Sequence, residues 1–194
     1  MGDPVPTARI KRAPAAPEID GSLDEAVWQG EPVVANMNLL RGGKPATEQT
    51  TVWMTYGDAG VYIAFRCADS AMDKIKAEYT ERGDPIYRDD DVEIFILPPD
   101  ARSAFQFAVN PLGTISDNFG NTADWRGAAK QLDDAWTVEV LIPWEAVEVD
   151  GVPEAGSSWA VQFGRQQKLK AETTSWTPGV AFNRPEGFGV VVFD

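Results

Sequence analysis

The stretch TTVWMTYGDAGVYIAFRCAD, residues 50–69, decides the fold. Its first half alternates apolar and polar side chains, with Val52, Met54 and Tyr56 in one phase. Residues 57–60, Gly-Asp-Ala-Gly, form a turn signal, and a second alternating run follows them. A period of two is typical of a strand with one buried face, and a glycine-containing turn between two such runs predicts a β-hairpin.

Most of the remaining chain repeats this pattern, with turn residues between the runs. Roughly nine to eleven short strands are expected, which favours an all-β fold, a two-sheet antiparallel β-sandwich. Short helical turns are expected at Ser22–Glu25, which resembles a capping box, and after Pro143. The further strand runs are DDVEIFILPP (90–99), FQFAVNP (105–111), AAKQLDDAWTVEVLIPW (128–144), WAVQFGRQQ (159–167) and GFGVVVFD (187–194).

The 194 residues fit one domain, and 43% of them are hydrophobic, which is enough for one packed core. Residues 1–16 are rich in proline and alanine and contain no apolar signal-peptide stretch, so we expect a flexible linker or chain start there and a domain over 17–194. No apolar run approaches the roughly 20 residues that span a bilayer, so no membrane span is expected.

Charge and residue usage exclude several function classes. The net charge of −13 disfavours nucleic acid as a partner, because a phosphate backbone would be repelled. The chain has no histidine, which removes the commonest general base, and its one cysteine excludes an internal disulfide. No nucleophile elbow, phosphate-binding loop or dinucleotide motif is present. We therefore expect a binding domain and not an enzyme, although a pair of carboxylates could still hydrolyse a glycoside.

Six segments form a recognisable series along the chain: 17–28 (PEIDGSLDEAVW), 50–69, 86–96 (IYRDDDVEIFI), 105–117 (FQFAVNPLGTISD), 135–144 (AWTVEVLIPW) and 185–194 (PEGFGVVVFD). In this order they resemble carbohydrate-binding module family 9. The resemblance implies a β-sandwich that is tethered to other domains of a larger secreted, carbohydrate-active protein and binds a glycan or glycan end in an aromatic-lined cleft. It also implies an extracellular or periplasmic location and structural calcium, with no organic cofactor.

In the sugar-binding branch of that family, two tryptophans clamp the sugar. One stands six residues before the glutamate of the V-E-[IV]-F signature, here Glu93, and that position is Tyr87. The other stands six residues before the phenylalanine of the terminal F-G, here Phe188, and that position is Phe182. Both positions are thus aromatic without being tryptophan, and a sugar's apolar C–H face can pack on either ring.

The resemblance also implies polar partners for the sugar. Glu93 would accept hydrogen bonds from hydroxyls, the alternative being a solvated or salt-bridged strand carboxylate. Ala108 stands where the family has an arginine, so Arg165 is a candidate replacement, the alternative being an arginine paired with a carboxylate. Gln106 shares the Ala108 face and is a candidate lining residue.

Two further candidates come from the residues around these segments. Asn183 lies in a loop directly after Phe182, and loops at sandwich ends often carry binding residues. Trp53 alternates out of phase with Val52 and Met54, so it faces away from them and is either exposed or a platform for a ligand.

An acidic run suggests where calcium would bind. Asp89 and Asp91, with Asp69 earlier in the sequence, could supply the oxygen ligands that this cation prefers. The alternative is a solvated acidic loop, because the spacing is not that of an EF-hand.

Two other functions stay open. Some relatives of the family hold haem b through methionine and lysine, for which Met37, Met54, Met72, Lys74 and Lys76 are available. The domain could also be a structural or interaction module of a multidomain enzyme.

Overall fold

The protein is described here by a computed structural model that covers residues 5–179 and 181–194. Within these residues, twelve strands form two sheets that share one core, and the helices are short 3-10 turns. The strands are β1 (Thr7–Ile10), β2 (Asn38–Leu39), β3 (Thr50–Gly57), β4 (Gly60–Ala68), β5 (Asp91–Leu97), β6 (Phe105–Val109), β7 (Ile115–Asp117), β8 (Arg126–Gln131), β9 (Ala135–Pro143), β10 (Ser158–Gln167), β11 (Glu172–Ser175) and β12 (Gly189–Phe193). The 3-10 turns are Ala26–Gln29, Met72–Lys74, Ile86–Arg88, Trp144–Val147 and Pro185–Gly187.

The four-stranded sheet has the order β3-β4-β9-β8 and is antiparallel. The eight-stranded sheet has the order β1-β12-β10-β5-β6-β7, and β11 joins β10 to β2. The hairpin over residues 50–69 is β3 and β4, with Gly57 paired to Gly60 across the turn. The predicted all-β sandwich is therefore confirmed.

The eight-stranded sheet departs from the prediction at its edge, where β1 pairs with β12 in parallel. This sheet is therefore mixed and not purely antiparallel. Residues 7–10, predicted to be part of a flexible linker, are instead a sheet strand, and Ile10 is buried in the core. The linker prediction is therefore wrong for residues 7–10. Their order depends on pairing with β12, the last strand, which the local sequence does not indicate. Residues 1–4 lie outside the described residues.

Alternation along each strand separates the core from the outer faces. On β5, Val92, Ile94 and Ile96 point into the core between the sheets. Asp91, Glu93 and Phe95 therefore take the opposite face, as a period of two requires. Each central strand therefore also has a set of residues that point away from the core. On β5 this set includes the buried Glu93, and on β9 it includes the buried Glu139.

The N-terminal segment covers the outer face of the four-stranded sheet. Trp28 packs there with Tyr62, Ala64 and Leu141, and partly buried Ile19, Leu23, Val27 and Trp53 surround them. The predicted capping box at Ser22–Glu25 is wrong. The 3-10 turn begins at Ala26 without a side-chain cap, and Glu25 accepts a hydrogen bond from the backbone N–H of Glu18 instead.

None of the helices in the described ranges combines the length and the apolar character needed to cross a membrane.

Candidate functional site

A pocket of about 180 Å³ lies on the outer face of the eight-stranded sheet, and we call it the Glu93 pocket. Three adjacent strands, β5, β6 and β7, build its floor. Glu93 on β5 is paired with Ala108 on β6 and, on its other side, with Gly164 on β10. Ala108 is in turn paired with Ser116 on β7. Its lining includes Tyr87, Asp91, Glu93, Gln106, Ala108 and Ser116.

Glu93 is almost completely buried at the centre of this pocket. Its two carboxylate oxygens accept hydrogen bonds from two side-chain amides, Gln106 Nε2 at 2.6 Å and Gln166 Nε2 at 2.8 Å. Burial raises the pKa of Glu93, while these two bonds and the positive charge of Lys168 oppose the rise. Glu93 thus presents a carboxylate that amides orient and that no described cation neutralises by direct contact.

Asp91 lies two residues before Glu93 on the same face and also lines the pocket. Its side chain is fully buried, and neither carboxylate oxygen has a hydrogen-bond partner among the described residues. Burial raises the pKa of Asp91 well above its ordinary value, and the neighbouring Glu93 charge raises it further. Such an unsatisfied buried carboxylate is costly, so its presence here needs an explanation.

Tyr87 forms an aromatic rim. The 3-10 turn Ile86–Arg88 holds it, with Ile86 buried as an anchor and Tyr87 left 56% exposed. Lys168 Nζ donates a 2.6 Å hydrogen bond to the Tyr87 carbonyl oxygen, which fixes this turn to the end of β10. An exposed ring beside buried polar groups is suited to the apolar face of a ligand.

Phe182 is not among the residues that line the Glu93 pocket and lies over β10, the strand next to β5. Its half-buried ring packs against Phe95, with ring centroids 6.1 Å apart, and stands over Gly164. A Cβ at Gly164 would come within 2.6 Å of the ring, so only glycine allows this approach. Because Gly164 is paired with Glu93, the ring lies over the strand next to Glu93. Asn183 is exposed in the loop that carries Phe182 and is not among the residues that line the pocket.

Arg165 does not lie in this pocket. Its guanidinium is buried between the sheets, donates to Asp69 Oδ2 at 3.1 Å and to the Ala68 carbonyl oxygen at 2.9 Å, and so joins β10 to the end of β4. The pairing with a carboxylate, left open as the alternative, is the one observed. Gln166 is the β10 residue that reaches Glu93. The sequence pattern already indicates this arrangement. Arg165 alternates in phase with Val161 and Phe163, which belong to the core, so Gln166 takes the opposite face of β10.

Trp53 is also separated from the other predicted residues. It lies on β3 of the four-stranded sheet, where its indole Nε1 donates a 3.0 Å hydrogen bond to the Gly30 carbonyl oxygen. That face is on the opposite side of the sandwich from the Glu93 pocket. Trp53 lines a second depression there, together with Trp28 and Leu132.

The three aspartates predicted to bind calcium do not form one site. Asp69 is paired with Arg165 and also accepts from Gln167 Nε2 at 2.7 Å. Asp89 accepts from the backbone N–H groups of Glu78 and Tyr79, whereas Asp91 lines the Glu93 pocket. Across residues 5–179 and 181–194, no group of three or more carboxylate, cysteine or histidine side chains is arranged to hold a metal. These residues do not fit the implied ion, and calcium binding stays an untested prediction.

The methionines considered as haem ligands lie away from the pocket. Met37 and Met54 are buried in the core, and Met72 packs against its border. None of the three lines the Glu93 pocket.

Comparison with known proteins settles the family. A family model described as carbohydrate family 9 binding domain-like matches residues 19–194. The chain belongs to this family. The resemblance read from the six sequence segments is therefore confirmed, and the match covers both sheets of this family 9 domain apart from β1. A search of curated proteins gives no significant match.

Solved structures share the fold of this family 9 domain. A family 9 carbohydrate-binding module from Caldicellulosiruptor kristjanssonii in complex with cellotriose is 18% identical, with a TM-score of 0.74 over 97% of this chain and 93% of that one. A family 9 module from the same organism in complex with glucose is 20% identical, with a TM-score of 0.70 over 96% and 95%. A putative carbohydrate-binding protein from Bacteroides uniformis is 15% identical, with a TM-score of 0.77 over 98% and 100%.

Proposed function

We propose that this domain is a non-catalytic carbohydrate-binding module that holds a glycan, or a glycan end, in the Glu93 pocket. The observation that carries the proposal is the Glu93 carboxylate, which two amides orient at the centre of an open pocket beside the exposed Tyr87 ring. Sugar hydroxyls donate to such a carboxylate in charge-assisted bonds, and the ring packs on the sugar's C–H face. The neighbouring structures hold cellotriose and glucose, which supports the same ligand class here.

The pocket favours one end of a chain over a long internal segment. Its volume of about 180 Å³ is below the roughly 300–1,000 Å³ of pockets that enclose drug-sized ligands. A single sugar unit is therefore the expected occupant, and the proposed affinity is modest because few contacts offset the entropy of association. We also propose an extracellular or periplasmic location within a larger protein, which the family membership supports.

Calorimetric titration with cellotriose tests this site. Tyr87→Ala is expected to weaken binding about tenfold, which corresponds to about 1.4 kcal/mol. Leu132→Ala is the matched control, because Leu132 is also an exposed apolar side chain, at 39%, but lines the depression on the opposite sheet. It should leave the affinity unchanged.

Two results would count against the proposal. Unchanged affinity in Tyr87→Ala and Phe182→Ala would remove the pocket from consideration as the sugar site. Failure of the unaltered domain to bind any member of a broad glycan panel would favour an interaction module instead.

A further inference from the structure

The Glu93 pocket has more hydrogen-bond acceptors than donors. Glu93 and Asp91 supply four carboxylate oxygens, and two of these, both on Asp91, have no partner among the described residues. The two side-chain amides of the lining are already engaged, since Gln106 Nε2 donates to Glu93 and Asn118 Nδ2 donates to the Ala104 carbonyl oxygen at 3.4 Å. Ala108 adds no polar group at the centre of the floor. A ligand that complements this lining must therefore donate.

The charged groups around the pocket are also predominantly acidic. Lys168 is close enough to lower the pKa of both carboxyl groups, but its Nζ is bonded to neutral oxygens, those of Tyr87 and of the Gln166 side chain. Lys168 is thus engaged elsewhere, and among the described residues no cation makes direct contact with either carboxyl group. Asp89 and Asp90, next in the chain, add negative charge that also raises the pKa of Asp91.

A third acidic residue of the lining adds no further unsatisfied carboxylate. Asp117 lines the pocket, yet its carboxylate accepts from the Trp125 indole at 2.9 Å and lies 3.7 Å from the Arg82 guanidinium. It is therefore satisfied by the protein itself. The contrast with Asp91 identifies the one lining carboxylate that the described residues leave without a donor.

The aromatic rim suits a cation as well as a sugar ring. The Arg88 guanidinium lies 5.8 Å from the Tyr87 ring centroid, within the range of a cation–π contact. The exposed area of Tyr87 leaves room for another contact. A ring face attracts an ammonium group through its quadrupole, and carboxylates next to the ring strengthen that preference.

We infer that the Glu93 pocket selects a sugar that carries a protonated amine, with the ammonium placed at Glu93 and its charge matched to Glu93 and the fully buried Asp91. The inference rests on the proposed function, because it uses the same pocket and names its ligand class. An ammonium group brings three donors and one positive charge, which are the features that this lining lacks. A hydroxyl at the same position would supply one donor and no charge.

Matched sugars provide the test by calorimetric titration at about 0.15 M salt, where surface charges are screened beyond about 8 Å. Methyl glucosaminide, at a pH where its amine is protonated, is compared with methyl glucoside and with the N-acetylated sugar. The amine is expected to bind about five- to tenfold more tightly than the glucoside, because charge-assisted bonds are about twice as strong as neutral ones. The N-acetylated sugar should lose this advantage.

Two variants locate the origin of the preference. Asp91→Asn keeps the size of the side chain and removes its charge, so the ratio of the two affinities should fall to about one. Asp133→Asn removes one negative charge from an exposed turn on the other sheet and should leave the ratio unchanged. A second measurement on the unaltered protein, at about 0.5 M salt, should retain most of the preference, because a buried pair is screened less than the acidic surface.

The outcomes separate this inference from the proposed function. Equal or weaker binding of the amine, with the glucoside still bound, overturns the inference alone. A preference that survives in Asp91→Asn, or that disappears at high salt, overturns it by assigning the effect to the surface charge. Binding of neither sugar nor of cellotriose overturns the inference and the proposed function together.

Discussion

The outer faces of the two sheets each carry a buried glutamate on a central strand, and the two are covered in different ways. Glu139 on β9 accepts from the Trp28 indole at 2.7 Å and from the backbone N–H groups of Gly21 and Asp20 at 2.9 and 3.1 Å. Those donors belong to the N-terminal segment, which covers this face. Glu93 on β5 accepts only from two side-chain amides and lies under an open pocket.

The difference shows how one residue type takes two roles on one scaffold. Burial raises the pKa of both carboxyl groups, that of Glu139 to about 7. Glu139 is saturated by donors that the fold itself holds in place, so it joins the N-terminal segment to the sheet. Glu93 accepts from side chains instead and has an acidic neighbour, Asp91, without a partner among the described residues, which fits the binding role that we propose for this face.

The largest expected effect is on the covered face. Glu139→Ala should lower the free energy of unfolding by about 2–4 kcal/mol, because three donors lose their acceptor and each unsatisfied buried donor costs on the order of 1–3 kcal/mol before water compensates. Thermal or urea unfolding measures this loss. Cellotriose binding should be retained at temperatures where the variant is folded, and loss of binding in a folded variant would contradict the division of roles.

The pH dependence of Glu139 has a definite sign. Its pKa is raised from 4.5 to about 7 in the folded protein, so its ionisation destabilises the fold. Its contribution to stability is therefore complete below about pH 4.5 and declines as the pH rises to about 7. In Glu139→Ala, this loss of stability between about pH 4.5 and pH 7 should be absent. Unfolding curves of both proteins at several pH values would measure the difference.

On the open face, Asp91→Asn is expected to stabilise the domain by about 1–3 kcal/mol at neutral pH, because it removes a buried carboxylate that has no partner. The raised pKa of Asp91 means that the gain is absent below the ordinary aspartate pKa and grows as the pH rises above it. Unfolding at pH 3.5 and pH 8 compares the two conditions. A loss of stability at pH 8 would show that Asp91 has a structural partner, as Glu139 does.

Glu93→Ala should affect binding more than stability. Cellotriose affinity is expected to fall more than tenfold, whereas the free energy of unfolding should change by less than about 1 kcal/mol, because the two amide donors can turn to water. Calorimetry and unfolding on the same sample measure both. A stability loss as large as that of Glu139→Ala would remove the distinction between the two faces.

The smallest expected effect is that of Gly164→Ala, which tests the role of the Phe182 ring without replacing Phe182. In Gly164→Ala the new methyl group must displace the Phe182 ring, since its Cβ would lie 2.6 Å away. If the ring contacts the sugar, affinity should fall several-fold while stability changes by about 1 kcal/mol or less. Gly30→Ala is the control, because a Cβ there meets nothing within 4 Å. Unchanged binding in Gly164→Ala would place the ligand away from Phe182.

Local alternation predicts the sheets of this protein but not every strand. The hairpin of β3 and β4 and the phase of β5 follow from a period of two, and both are observed. β1 was missed because a four-residue strand between prolines has no local signal, and its partner is at the other end of the chain. The cover over Glu139 was missed for the same reason, as Trp28 and Glu139 are 111 residues apart.

The pocket was predicted only in part. Tyr87, Glu93 and Gln106 line it as expected, and Phe182 lies beside it. Arg165 was predicted to line the pocket in place of the family's arginine, because Ala108 occupies that arginine's position. Arg165 alternates in phase with Val161 and Phe163, however, and this phase indicates the core. Asp91 was considered as a metal ligand because an acidic run has no direction in sequence. Its spacing of two residues from Glu93 on one strand nevertheless indicates that the two carboxyl groups share a face.

The account's central claim is that the open face around Glu93, and not the covered face around Glu139, binds the sugar. An NMR titration with cellotriose tests it directly through the side-chain amides and the indole N–H groups. We expect the largest shifts at the side-chain amides of Gln106 and Gln166, which contact Glu93, and none at the indoles of Trp28 and Trp53. Shifts confined to those two indoles would contradict the claim, because they would place the ligand on the opposite side of the sandwich.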